Sequence, residues 1–104
     1  MKKDILNYMR ETFGIEGAEA EELFASFMKT VTENIAKLEQ PSQDFETLAR
    51  AAHSIKGCAL NCGQTEMAEA ARAVEFAAKA SDCAYVRQLL PRLKSFLEKL
   101  SSEK

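Results

Sequence analysis

Tryptophan is absent from this 104-residue chain, and proline (two), glycine (four) and histidine (one) are scarce. With so few breakers and no β-branched runs, long helices are favoured over a turn-rich β architecture. No apolar stretch reaches the ~18–20 residues that span a bilayer. Met1-Lys2-Lys3-Asp4 lacks the apolar core of a signal peptide. A cytoplasmic protein with no membrane partner is therefore expected. Cys58, Cys62 and Cys83 leave an odd count without a secretion signal, so reduced thiols are the simplest expectation. The formal net charge of -2 gives no support to nucleic-acid binding. Gly-rich phosphate loops and kinase motifs are also missing, which argues against ATP-dependent chemistry. The length suits one domain with one modest core, 1–104, and no repeat or linker divides it.

What is present is helical periodicity. Lys2 to Phe13 carries Ile5, Leu6, Met9 and Phe13 at helical spacing and ends at Gly14. A second helix is expected from Ala18 to Glu39, with Leu23, Phe24, Phe27, Met28, Val31, Ile35 and Leu38 on one stripe. Glu16, Glu19, Glu21 and Glu22 cluster at its start, where acidic groups suit the helix dipole. Gln40-Pro41-Ser42 is a break, and Ser42 is the candidate N-cap of a third helix from Gln43 to Cys62, ended by Gly63. A fourth helix, Gln64 to Ala80, turns Met67, Ala71, Val74 and Ala78 inward. Ser81-Asp82 caps a fifth that buries Val86, Leu89, Leu90, Leu93, Phe96, Leu97 and Leu100. Pro91 predicts a kink or break near Arg87. Short connections between such helices predict an all-α, antiparallel up-and-down four-helix bundle over 17–101, preceded by a short helix and turn over 1–16.

The only histidine, His53, stands in Ala51-Ala52-His53-Ser54-Ile55-Lys56-Gly57. Lys56 and Gly57 lie one turn on, at i+3 and i+4, and share its face. Glycine in a helix interior costs about 1 kcal/mol relative to alanine, which suggests that something approaches closely there. On a helical wheel with Leu48 at zero, Ala51, Ala52, Ile55, Ala59 and Cys62 fall within roughly 60° and form the core stripe. His53 lies about 140° away, among Ala49, Lys56, Gly57 and Leu60. The imidazole is thus expected off the core, on a patch of small or apolar neighbours. Hairpin arithmetic adds a partner. From His53 to Cys62 is about 14 Å, and from Thr65 to Glu75 about 15 Å, so antiparallel packing brings Glu75 level with the ring. A carboxylate accepting from Nδ1–H would leave the Nε2 lone pair outward as a nucleophile. A plain surface carboxylate at Glu75 is the competing expectation. Arg72 and Lys79, one turn to either side, could add positive potential.

The segment Ala51 to Gly57 resembles the signature of histidine-containing phosphotransfer (HPt) domains of bacterial two-component phosphorelays. The resemblance continues through Cys58-Ala59-Leu60-Asn61-Cys62-Gly63 and Ala73-Val74-Glu75, and it spans about Leu23 to Leu100. The heptapeptide is also similar to that of the phosphoryl-accepting domain of chemotaxis histidine kinases, which normally precedes kinase modules that are not seen here. Cys58 and Cys62 depart from the commonest pattern, where a small or hydroxyl residue and an aliphatic one are more usual.

The resemblance implies that His53 is phosphorylated at Nε2, that Lys56 neutralises phosphoryl oxygens, and that Gly57 leaves room for an incoming response-regulator receiver domain. Glu75 matches a position where some members place a polar partner for the ring. Ala49, Gly57, Leu60, Arg72, Phe76 and Lys79 are the candidate docking residues. The implied protein relays phosphate to and from a receiver or a hybrid histidine kinase as a phosphocarrier, with no cofactor of its own; Mg2+ is expected on the receiver. A monomer is expected. The alternative is a helical interaction module that binds a receiver or kinase and regulates it without transfer. For Cys58 and Cys62, two thiols are too few for structural zinc, which normally takes four ligands, so packing is the expectation.

Overall fold

The computed structural model describes residues 2–40 and 44–102, and within them the chain forms five α-helices and no strand. These are α1 (Lys2–Phe13), α2 (Ala18–Glu39), α3 (Phe45–Asn61), α4 (Thr65–Lys79) and α5 (Cys83–Ser102). None of the described helices is long and apolar enough to cross a membrane. The first two have the expected bounds, and α1 is ended by Gly14 at φ 68. The third starts later than expected. Asp44 is its N-cap, and its side chain accepts from the Thr47 N–H at 2.7 Å. That hydrogen bond holds the Asp44 carboxyl below its ordinary range. The predicted break at Pro41, the cap at Ser42 and the start at Gln43 lie outside the described residues.

Gly63 ends α3 in the expected way. It adopts φ 70, and a side chain there would strain the left-handed turn. Its N–H donates to the Leu60 carbonyl at 3.2 Å, and the Gln64 N–H donates to that of Ala59 at 2.8 Å. The chain thereby reverses within three residues, and α4 runs back along α3. A Cβ on Gly63 would also stand 2.6 Å from Cδ2 of Tyr8, so the ring from α1 closes over the turn.

Ser81 and Asp82 divide the work that the sequence assigned to them jointly. Asp82 caps α5 by accepting from the Tyr85 N–H at 3.1 Å. Ser81, at φ 57, is instead the left-handed residue that ends α4, with its N–H on the Ala78 carbonyl and that of Asp82 on Ala77. Pro91 does not break α5, which continues from Cys83 to Ser102. The proline is exposed, as is Arg87, whose carbonyl loses the usual helical partner. Water can satisfy that carbonyl at the surface.

Packing runs from α2 to α3, α3 to α4, α4 to α5 and α5 back to α2, with α1 laid against α2. The core is built on Ile5, Val31, Ile55, Met67, Val74, Leu93 and Leu100, all fully buried. Each large apolar side chain so placed contributes about 1.5–3 kcal/mol. Alanines 68, 70, 71, 77 and 78 make up much of the buried face of α4, so its backbone approaches its neighbours closely. Two members of the expected stripes are exposed instead: Phe13 at the end of α1 and Leu23 near the start of α2. Both line one groove with Met9, Ile15 and Phe27.

Candidate functional site

The site lies where α3 meets α4. Leu48, Ala52 and Ile55 anchor α3 in the core, which turns His53 outward; its side chain is 66% exposed. From α4, Glu75 points the other way. Its side chain is only 11% exposed, and with Asn34 it is one of two buried polar residues among those described. Asn34 is satisfied within its own helix by donating Nδ2–H to the Thr30 carbonyl at 2.8 Å. Glu75 is satisfied across helices. Its Oε2 is 3.1 Å from Nδ1 of His53, its Oε1 accepts from Nζ of Lys56 at 3.0 Å, and Nζ of Lys79 stands 3.5 Å from Oε2.

Burial pushes the Glu75 carboxyl up. The hydrogen bond and charge of Lys56 outweigh it, with help from Lys79 and His53, and hold the group below its ordinary value of 4.5. A carboxylate that stays ionised accepts from Nδ1–H, so the neutral ring keeps its lone pair on Nε2. The arrangement is an outward-facing imidazole whose inner nitrogen is tied to a buried anion, with lysines on both helices.

The other candidates fall into place unevenly. Gly57 is half-buried, and a Cβ built on it would meet nothing within 4 Å, so close helix packing does not explain the glycine. Leu60 and Phe76 are exposed. Arg72 lies over the Phe76 ring, 5.2 Å from its centroid, and is not among the cations that bond Glu75. Ala49 corrects the expectation of an exposed docking residue. It is 8% exposed, because α3 packs on both α2 and α4 and buries a wider arc than one stripe.

Ala49 instead helps line a hollow of about 380 Å³ beside His53, together with Glu46, Arg50, Ser54, Glu75 and Lys79. Glu46 and Arg50 were missed by sequence reasoning, although their i,i+4 spacing on the face next to His53 was the available signal. On the opposite flank of α3, Cys58 and Cys62 line an apolar groove of about 470 Å³ with Met9, Phe13, Ile15, Leu23 and Phe27. Burial raises the Cys58 thiol, and burial with the neighbouring Cys58 pushes Cys62 up to about 11. Among the described residues, no cluster of three or more His, Cys, Asp or Glu could hold a metal ion.

The described helices thus present an imidazole, held at one nitrogen, on an open surface. A family model described as "Hpt domain" matches residues 22–103. The chain belongs to the Hpt domain family, whose members are phosphocarrier modules of two-component signalling that act with receiver domains and histidine kinases. No match was found among curated proteins or among solved structures.

Proposed function

We propose that this chain carries a phosphoryl group on Nε2 of His53, taken from the aspartyl phosphate of a receiver domain and returned to a receiver aspartate. The observation that carries this reading is the 3.1 Å contact between His53 Nδ1 and the buried carboxylate of Glu75. In the forward step the Nε2 lone pair attacks phosphorus. A P–N bond forms, the acyl P–O bond breaks, and the receiver carboxylate leaves. The ring retains Nδ1–H and gains positive charge, which the Glu75 carboxylate offsets as it develops. In the reverse step the receiver carboxylate attacks and the ring leaves with its lone pair restored. Such transfers depend on positioning and on cations about the phosphoryl oxygens.

Lys56 supplies one of those charges, reaching the phosphoryl group from its resting place on Glu75, and Lys79 supplies a second. The divalent cation belongs to the receiver. Gly57 keeps the surface beside His53 low so that the receiver can approach, with Leu60 and Phe76 as apolar contacts. An antiparallel up-and-down bundle of α2 to α5 is the topology in keeping with this role, supported by the ring of helix contacts and the His53–Glu75 register. The carrier works as a cytoplasmic monomer.

Incubation with a phosphorylated receiver should give an acid-labile, base-stable adduct on the wild-type chain and none on a folded His53→Gln variant. An adduct that survives in His53→Gln overturns the assignment. Receivers that bind but leave no adduct point to the non-transferring interaction module instead.

A further inference from the structure

We infer that Arg50 is a further phosphoryl-holding residue, kept on Glu46 at rest and transferred to the phosphoryl oxygens once His53 is loaded; this rests on the phosphocarrier role proposed above. Arg50 lies three residues before His53, so the two side chains leave neighbouring points on α3. Side chains on a helix lean toward its N-terminus, which sets the His53 ring over the turn that carries Ala49 and Arg50. That turn borders the hollow of about 380 Å³, and Arg50, His53 and Glu46 all line it. With Nδ1 tied to Glu75, the free Nε2 is on the other side of the ring from the buried carboxylate. The small side chain of Ala49 leaves the hollow open.

At rest the guanidinium is occupied. Its Nη2 donates to Oε1 of Glu46 at 2.6 Å, and the two side chains are 78% and 76% exposed. A surface pair of this kind is weakly held and easily exchanged. A phosphoryl group brings close to two negative charges and three acceptor oxygens, and guanidinium matches it with paired donors. Glu46 offers one negative charge in open solvent, so the exchange favours the phosphoryl group. Lys56 and Lys79 both begin on Glu75, which must remain ionised beside Nδ1. Arg50 can move to the phosphoryl group without removing a cation from that carboxylate.

The test loads His53 with phosphoramidate, a small donor that needs no receiver, and follows the phosphohistidine by phosphorus NMR against pH. A cation beside the phosphoryl oxygens opposes protonation of the phosphohistidine, at the ring nitrogen and at the phosphoryl group alike. Arg50→Gln should therefore raise the titration midpoint by about half a unit, with Arg50→Lys falling between it and wild type. Glu46→Gln, which removes the competitor, should lower the midpoint. A midpoint unchanged in Arg50→Gln overturns the proposal while leaving the phosphocarrier role intact, and a midpoint that rises in Glu46→Gln overturns the exchange. A wild-type signal that His53→Gln retains, or no signal at all, overturns both.

Discussion

Toward α4, α3 presents His53 and Lys56 to one buried carboxylate; toward α1 and α2, the same helix presents Cys58 and Cys62 to an apolar groove. Thiolates are strong nucleophiles, yet the groove disfavours the charged form and pushes Cys62 up to about 11. The imidazole needs no ionisation to be nucleophilic, and in the proposed role Glu75 holds the proton on Nδ1. Reactivity along this helix is therefore set by what faces each flank.

The most disruptive way to test that contrast is to disturb the turn that both flanks share. Gly63→Ala forces a side chain into a left-handed turn and against the Tyr8 ring, for an expected loss of about 2–4 kcal/mol, read by denaturant unfolding. On the thiol flank, the rise from 9.0 to about 11 makes the Cys62 thiolate roughly a hundred times scarcer than that of an ordinary cysteine. Mass-resolved alkylation at pH 8 should then label exposed Cys83 first and Cys62 last, and early labelling of Cys62 would contradict an intact groove.

Making the α4 flank apolar sharpens the contrast from the other side. A charged hydrogen bond is worth about 1.5–3 kcal/mol, so Glu75→Leu should slow phosphoryl transfer by roughly ten-fold or more. The same residue gives a pH signature. Its carboxyl sits below 4.5 in the folded chain, so its contribution to stability is present above that value and is lost as the pH falls through the lowered one. Glu75→Gln should lack this part of the acid-side decline in melting temperature. The smallest effect is expected at Gly57. Gly57→Gln meets no internal neighbour and should gain about 0.5–1 kcal/mol while transfer slows. Equal transfer rates would reject its docking role.

Much of this geometry was legible in the chain because its signals are local or additive. Helical periodicity turns His53 away from the core, and residue counts on either side of Gly63 bring Glu75 level with it. Ala49 was misplaced because one wheel describes one stripe, whereas α3 has two neighbours and a wider buried arc. The caps were ambiguous for a different reason. Ser42 and Asp44 are both acceptable N-caps by type, and Ser81 and Asp82 are adjacent residues whose separate roles depend on which helix claims each. The burial of Glu75 was equally hidden, since a carboxylate enters the interior only when cations from two helices arrive there with it. Pro91 signalled a kink or a break near Arg87, and α5 runs on unbroken because the orphaned carbonyl is at the surface.

The reversal at Gly63 carries a further consequence. Hairpin length is a whole number of residues, and here it acts as the gauge of the site. One residue inserted between Asn61 and Thr65 would slide α4 by about 1.5 Å and rotate it by about 100°. That would carry Glu75 away from the ring and bring Val74 round in its place. Three residues that do not touch the ring thus decide whether His53 has its carboxylate. Sequence length in this one loop is as much a part of the site as His53 itself.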